Sequence, residues 1–183
     1  RPKRRRQRPD PAAVDRILAA RRPVIVAGNG VRIAQAYDQL QHLAEAAGMP
    51  VATTAAGKGC FAETHPLALG VFGTFGTPVA NATVGEADLV LVVGSKLSPS
   101  DTAWANRKLL DPARQTLIQL DIEPRHASWT FPAEHVMIGD AGVVLGQVIE
   151  ALGTRGAGKA AAAQARVAAH RETLGYFNVP EYS

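Results

Sequence analysis

Two runs of apolar residues, each closed by a glycine, constrain the fold most. Leu89-Val90-Leu91-Val92-Val93 is apolar at every position and ends at Gly94. A strand without polar alternation must be covered on both faces, which suits the centre of a parallel sheet. Pro23-Val24-Ile25-Val26-Ala27 is built the same way and ends in Gly28-Asn29-Gly30. After it, Ile33, Ala36, Tyr37, Leu40, Leu43, Ala44 and Ala47 recur at helical spacing until Gly48 and Pro50 stop the pattern. Further short strands are expected at 51–53, 117–122 and 135–138. Asp140 is expected to cap a helix reaching about Leu152. Strand, glycine turn and helix in repetition predict a three-layer α/β fold, a parallel sheet with helices on both faces.

Ligands on such sheets bind beyond the carboxyl ends of the strands. Gly28–Val31, Thr54–Ala56, Gly94–Lys96 and Asp121–Glu123 all fall there, and together they can line one crevice. The stretch from Pro50 to Pro78 adds Gly57, Gly59, Gly70, Gly73 and Gly76 in three turns. Such turns either approach a ligand closely or only shape long loops. Asp121 is either an acceptor for ribose hydroxyls or a plain cap. Lys58 and Lys96 are either phosphate partners or solvated cations.

Several chemistries are excluded or left without support. Gly28-Asn29-Gly30 lacks the third glycine of a dinucleotide fingerprint, and the second strand ends in Thr53-Thr54 rather than an acid. Lys58 is followed by Gly59, so there is no phosphate-binding P-loop, and no GxSxG elbow occurs. The five histidines are scattered without metal-ligand spacing. Cys60 is the one cysteine, so no internal disulfide forms. It is expected to be buried and inert, since nothing nearby lowers its pKa. With no apolar run near ~20 residues and no signal-peptide pattern, the expectation is a cytoplasmic protein without membrane contact.

The net charge of +4 is local. Arg1, Lys3, Arg4, Arg5, Arg6 and Arg8 lie in an N-terminal arm; subtracting their six charges leaves −2 on the rest. The arm reads as a solvated linker. A nucleic-acid role is disfavoured, because the body has no matching basic face and few aromatics for base stacking. At the other end, Gly153–Gly158 reads as a flexible break, Lys159–His170 as a helix, and Gly175–Ser183 as extended chain.

RPVIVAGNGV, PVATTAAGKGCFAETHPLALGVFGTFGTP, ADLVLVVGSKL, LIQLDIEP and VMIGDAGVVL, in this order and spacing, resemble one known domain. It is the central domain of thiamine-diphosphate-dependent enzymes of the acetolactate synthase, pyruvate oxidase and decarboxylase type. The resemblance covers Pro23 to Leu152 and implies a six-stranded Rossmann-like fold. It divides the chain into a basic linker at 1–11, the central domain at 12–153, and a helical tail and linker at 154–183. Such enzymes hold thiamine diphosphate and Mg²⁺ between N- and C-terminal domains that are not in this chain, so the piece alone is not expected to catalyse. Dimeric or tetrameric assembly of the parent is also implied.

In this family the domain holds FAD, ADP or nothing. By motif position the contacts fall on Gly28, Asn29 and Gly30, then Thr54, Ala55 and Ala56. They continue at Gly73, Thr74 and Phe75, at Gly94, Ser95 and Lys96, and at Asp121, Ile122, Asp140 and Ala141. Flavin-binding relatives tend to have a Met-His pair where Thr74-Phe75 stands. They also tend to have an arginine-rich acidic segment where Ser95–Ser100 stands. An empty or ADP-type crevice therefore stands beside FAD, and a stand-alone nucleotide-binding or regulatory module is the alternative function.

Overall fold

The computed structural model describes residues 9–176; the expected extended chain beyond Tyr176 and most of the basic arm lie outside the described residues. Six parallel strands form one sheet: β1 (Pro23–Ala27), β2 (Val51–Thr53), β3 (Ala68–Val71), β4 (Leu89–Val93), β5 (Thr116–Asp121) and β6 (His135–Ile138). Their order is β3-β2-β1-β4-β5-β6. The chain thus builds outward from β1 in one direction and from β4 in the other. β1 and β4 lie side by side, Ile25 against Leu91 and Ala27 against Val93. That pair is the topological switch point, where open α/β sheets place ligands.

The alternation within the apolar runs separates two cores. Ile25, Ala27, Leu89, Leu91 and Val93 face one side, and Val24, Val26, Val90 and Val92 face the other. On the first side lie α1 (Pro11–Ala19), α3 (Tyr37–Ala47) and α5 (Ala141–Leu152). The second is covered by α4 (Pro78–Glu86) with Leu97, Leu110 and Phe131 from the loops. The final helix, α6 (Lys159–Leu174), contributes Ala163 to the first core and Val167 to the second. Both faces of the central strands are buried, as their all-apolar sequence requires.

Local signals hold where side chains cap backbone. The Asp140 carboxylate accepts from Val143 N–H at the start of α5, and Gly48 ends α3 in the left-handed conformation at φ 62°.

The structure departs from the sequence expectations in four places. The first helical pattern is two helices, α2 (Asn29–Ile33) and α3, parted by a turn with Gln35 at φ 53°. Ile33 therefore lies outside the buried stripe of α3 and is 78% exposed. A strand, β3, lies inside the glycine-rich stretch; it is short, at the sheet edge, and pairs with β2 through a register shift between Val51 and Ala52. The helices α1 and α4 begin at Pro11 and Pro78, each at a first helical position where the missing N–H costs nothing, below Asp10 and Thr77 caps. Finally, the Gly153–Gly158 segment is docked rather than loose. Gly156 packs on Ala46 O so closely that no Cβ fits, and the Lys159 ammonium donates to Leu18 O.

Candidate functional site

At the carboxyl end of the switch point, the turns after β1 and β4 interlock. Gly30 N–H donates to Gly94 O at 2.9 Å. A Cβ on Gly28 would stand 2.5 Å from Gly94 O, and one on Gly30 would stand 2.6 Å from Gly94 Cα. The absence of side chains here lets two backbone turns touch each other. Thr54, at the end of β2, donates its N–H to Ala27 O, and its hydroxyl accepts from Gly57 N–H at 3.1 Å, shaping the single turn Ala55–Gly57. Asn29, Gly30, Ala55 and Ala56 are thus brought together beyond the carboxyl ends of β1 and β2, where Arg32 Nη1 donates to Ala56 O at 3.3 Å.

The β4 side is organised by one buried side chain. Gln119 Nε2 donates to Ser95 O and to His126 O, both at 3.0 Å. Its Oε1 accepts from Ser128 N–H at 2.8 Å. This fastens the loop after β5 to the turn after β4. Ser95 Oγ accepts from Leu97 N–H. The Lys96 ammonium lies 4.5 Å from the centroid of the Trp129 ring, a cation–π contact. Asp121 is buried; its Oδ1 accepts from Glu123 N–H at 2.9 Å and lies 3.2 Å from His126 Nδ1. Ile122 beside it is exposed. The Arg125 guanidinium lowers the Glu123 carboxyl to about 2.

Gly73, Thr74 and Phe75 follow β3. Gly73 N–H donates to Asn81 Oδ1, and the Thr74 hydroxyl contacts the loop after β4. Phe75 presents its ring to solvent, 79% exposed. Asp140 and Ala141 start α5, beyond the end of β6.

Other singled-out residues have structural partners. Lys58 Nζ pairs with Glu63 Oε1 at 2.5 Å. His65 Nε2 meets Glu45 Oε1 at 3.1 Å, and His135 Nδ1 meets Asp10 Oδ2 at 2.9 Å. Among the described residues, no three His, Cys, Asp or Glu side chains group so as to hold a metal ion. No described helix is long and apolar enough to cross a membrane.

Cys60 is buried, and desolvation pushes its thiol up to about 11. At pH 8 the folded chain is therefore expected to react with a thiol reagent far more slowly than the urea-unfolded chain, in which the thiol has an ordinary pKa near ~8.5. Equal labelling rates in both states would contradict this burial.

The residues that sequence reasoning missed are Gln119, Trp129 and the segment from Ser98 to Ala105. Gln119 carried a readable signal, one amide within the otherwise apolar β5 run Leu117–Leu120. Nothing local marked Trp104, 83% exposed in a polar loop.

The comparisons decide the family. The model of the thiamine pyrophosphate enzyme central domain matches residues 11–151. The chain belongs to this family. A central-domain assignment agrees with its relatives. The "Probable acetolactate synthase large subunit" of Methanocaldococcus jannaschii is 40% identical over 136 residues, which is 74% of this chain and 22% of that protein. The acetolactate synthase isozyme 3 large subunit of Escherichia coli (strain K12) is 35% identical over 140 residues, 76% of this chain and 24% of that protein. The X-ray structure of a Mycobacterium smegmatis protein described as a thiamin diphosphate-dependent enzyme superposes with a TM-score of 0.64. Its identity is 28%, covering 79% of this chain and 27% of that one. The central domain thus spans about a quarter or less of the curated relatives named here.

Proposed function

We propose that the chain is the middle part of a longer polypeptide that carries out acetolactate synthase-type chemistry on 2-keto acids with thiamine diphosphate and Mg²⁺. The observation that carries this reading is the 40% identity to a protein described as a probable acetolactate synthase large subunit over 136 residues, 74% of the chain. Thiamine diphosphate would supply the nucleophilic ylid and the electron sink that this chemistry needs. In this reading the ligands of the magnesium on its diphosphate belong to flanking N- and C-terminal domains. The role left to this chain is to space and orient those domains. A rigid double-cored sheet with α6 docked across it suits that role. Assembly into a dimer or tetramer, and a cytoplasmic location, belong to the same proposal.

The test is an acetolactate assay from pyruvate with the longer polypeptide that contains this segment, with thiamine diphosphate and Mg²⁺ added or withheld. Product that depends on both additions is expected, and none from the chain alone. Turnover by the chain alone, or an inert full polypeptide saturated with the cofactor, would overturn it.

A further inference from the structure

The glycine turns at the switch point spend their own donors. Gly28 N–H donates to Val93 O at 2.8 Å, Gly94 N–H to Leu120 O at 2.8 Å, Gly30 N–H to Gly94 O and Thr54 N–H to Ala27 O, both at 2.9 Å. A diphosphate held at such turns needs amides directed at it. These are directed at carbonyls of the protein. The Asp121 carboxylate, the position suited to ribose hydroxyls, is buried and accepts from Glu123 N–H. Two cations at these turns are also occupied: Lys96 lies against Trp129, and Arg32 Nη1 donates to Ala56 O at 3.3 Å. These four amides and Asp121 Oδ1 are therefore engaged within the chain.

A second observation concerns access. The segment Leu97–Ala105 leaves β4 and is fastened to the turn after β3, although β1 and β2 lie between those strands in the sheet. Thr74 Oγ1 donates to Ser100 O at 2.6 Å and accepts from Ala103 N–H at 3.0 Å. Gly73 has φ 96°, and a Cβ there would coincide with Asp101 O, so the strap lies directly on that glycine. Within the strap, Ser98 Oγ donates to Asp101 Oδ2 at 2.6 Å, and Thr102 Oγ1 donates to Ser98 O at 3.0 Å. Ala103, Trp104 and Ala105 then follow in the left-handed region, at φ 47°, 61° and 58°. Consecutive non-glycine residues adopt this conformation only when their surroundings over-determine it. Here the anchors on both sides do so.

We infer that this strap, pinned on Gly73 and Thr74, closes the crevice, and that the chain takes no FAD- or ADP-type ligand there. The domain is then a scaffold whose switch point is filled by its own backbone. This inference is independent of the reaction proposed above, since it concerns one crevice and not the thiamine diphosphate centre.

Two measurements on the purified chain test it. Calorimetric titration with FAD and with ADP, each to about 1 mM, is expected to give no saturable heat. Hydrogen exchange is expected to find the Ala103 amide protected in the wild type and in Thr74→Ser, which keeps the hydroxyl. In Thr74→Val, which removes the acceptor, that amide is expected to exchange roughly tenfold faster or more. Micromolar binding of either nucleotide by the wild-type chain would overturn the inference. So would an Ala103 amide that exchanges at the same rate in Thr74→Val as in the wild type.

Discussion

Replacing Gly94 with alanine is expected to destabilise the domain by about 4 kcal/mol, a fall in melting temperature of roughly 10 °C for a chain of this size. Two costs add. The residue sits at φ 63°, where an L side chain costs about 1–2 kcal/mol. The new methyl would also stand 2.7 Å from Gly30 Cα and 2.9 Å from both Gly30 C and Val31 N. All three are backbone atoms, so no rotamer change relieves the clash. The turns after β1 and β4 would have to separate, at the one place where the two halves of the sheet join. Differential scanning calorimetry of the wild type and Gly94→Ala checks this. As a control, Gly146→Ala in α5 meets nothing within 4 Å and is expected to leave the melting temperature unchanged or slightly raised. A loss under about 1 kcal/mol at Gly94 would mean that the turns are not locked together.

The second large effect is expected at Gln119. Its amide makes three hydrogen bonds, to Ser95 O, His126 O and Ser128 N–H, from a side chain that is almost wholly buried in β5. Gln119→Leu preserves volume and removes all three. Unsatisfied buried groups cost about 1–3 kcal/mol each, and some of these regain water, so a net loss of about 3 kcal/mol in urea unfolding is expected. The same change frees the loop that carries Trp129, so the environment of that indole should become more aqueous, with its fluorescence shifted to the red. A stable Gln119→Leu chain with unaltered tryptophan emission would show that the loop after β5 is held by other contacts.

These two positions mark the boundary between what sequence and structure reveal. The central strands were legible because burial on both faces leaves no room for polar residues, and Pro23–Ala27 and Leu89–Val93 have none. The α5 cap was legible because Asp140 acts on an amide three residues away. By contrast, β3 has four residues, one of them Gly70 at φ 81°. Its strand character comes from β2 beside it. Helical spacing alone ran α2 and α3 together, because the break at Gln35 lies in a dihedral angle and the alanines around it suit either state.

The candidate site divides in the same way. Sequence placed Gly28, Gly30 and Gly94 at strand ends and led to the expectation of a crevice there. Whether those glycines face a ligand or each other depends on the distance between two turns more than sixty residues apart, which only the assembled sheet sets. The same holds for Asp121: its Oδ1 accepts from Glu123 N–H, while the side chain that caps the turn Pro124–His126 is that of Glu123. For this protein, the amino-acid order determined a parallel α/β sheet and its family resemblance, because apolar runs, caps and motif spacing act over short distances. The tertiary structure alone decided how the turns after β1, β3 and β4 meet. The strap from Leu97 to Ala105 is defined by bonds to Thr74, and no local pattern in either segment specifies that meeting.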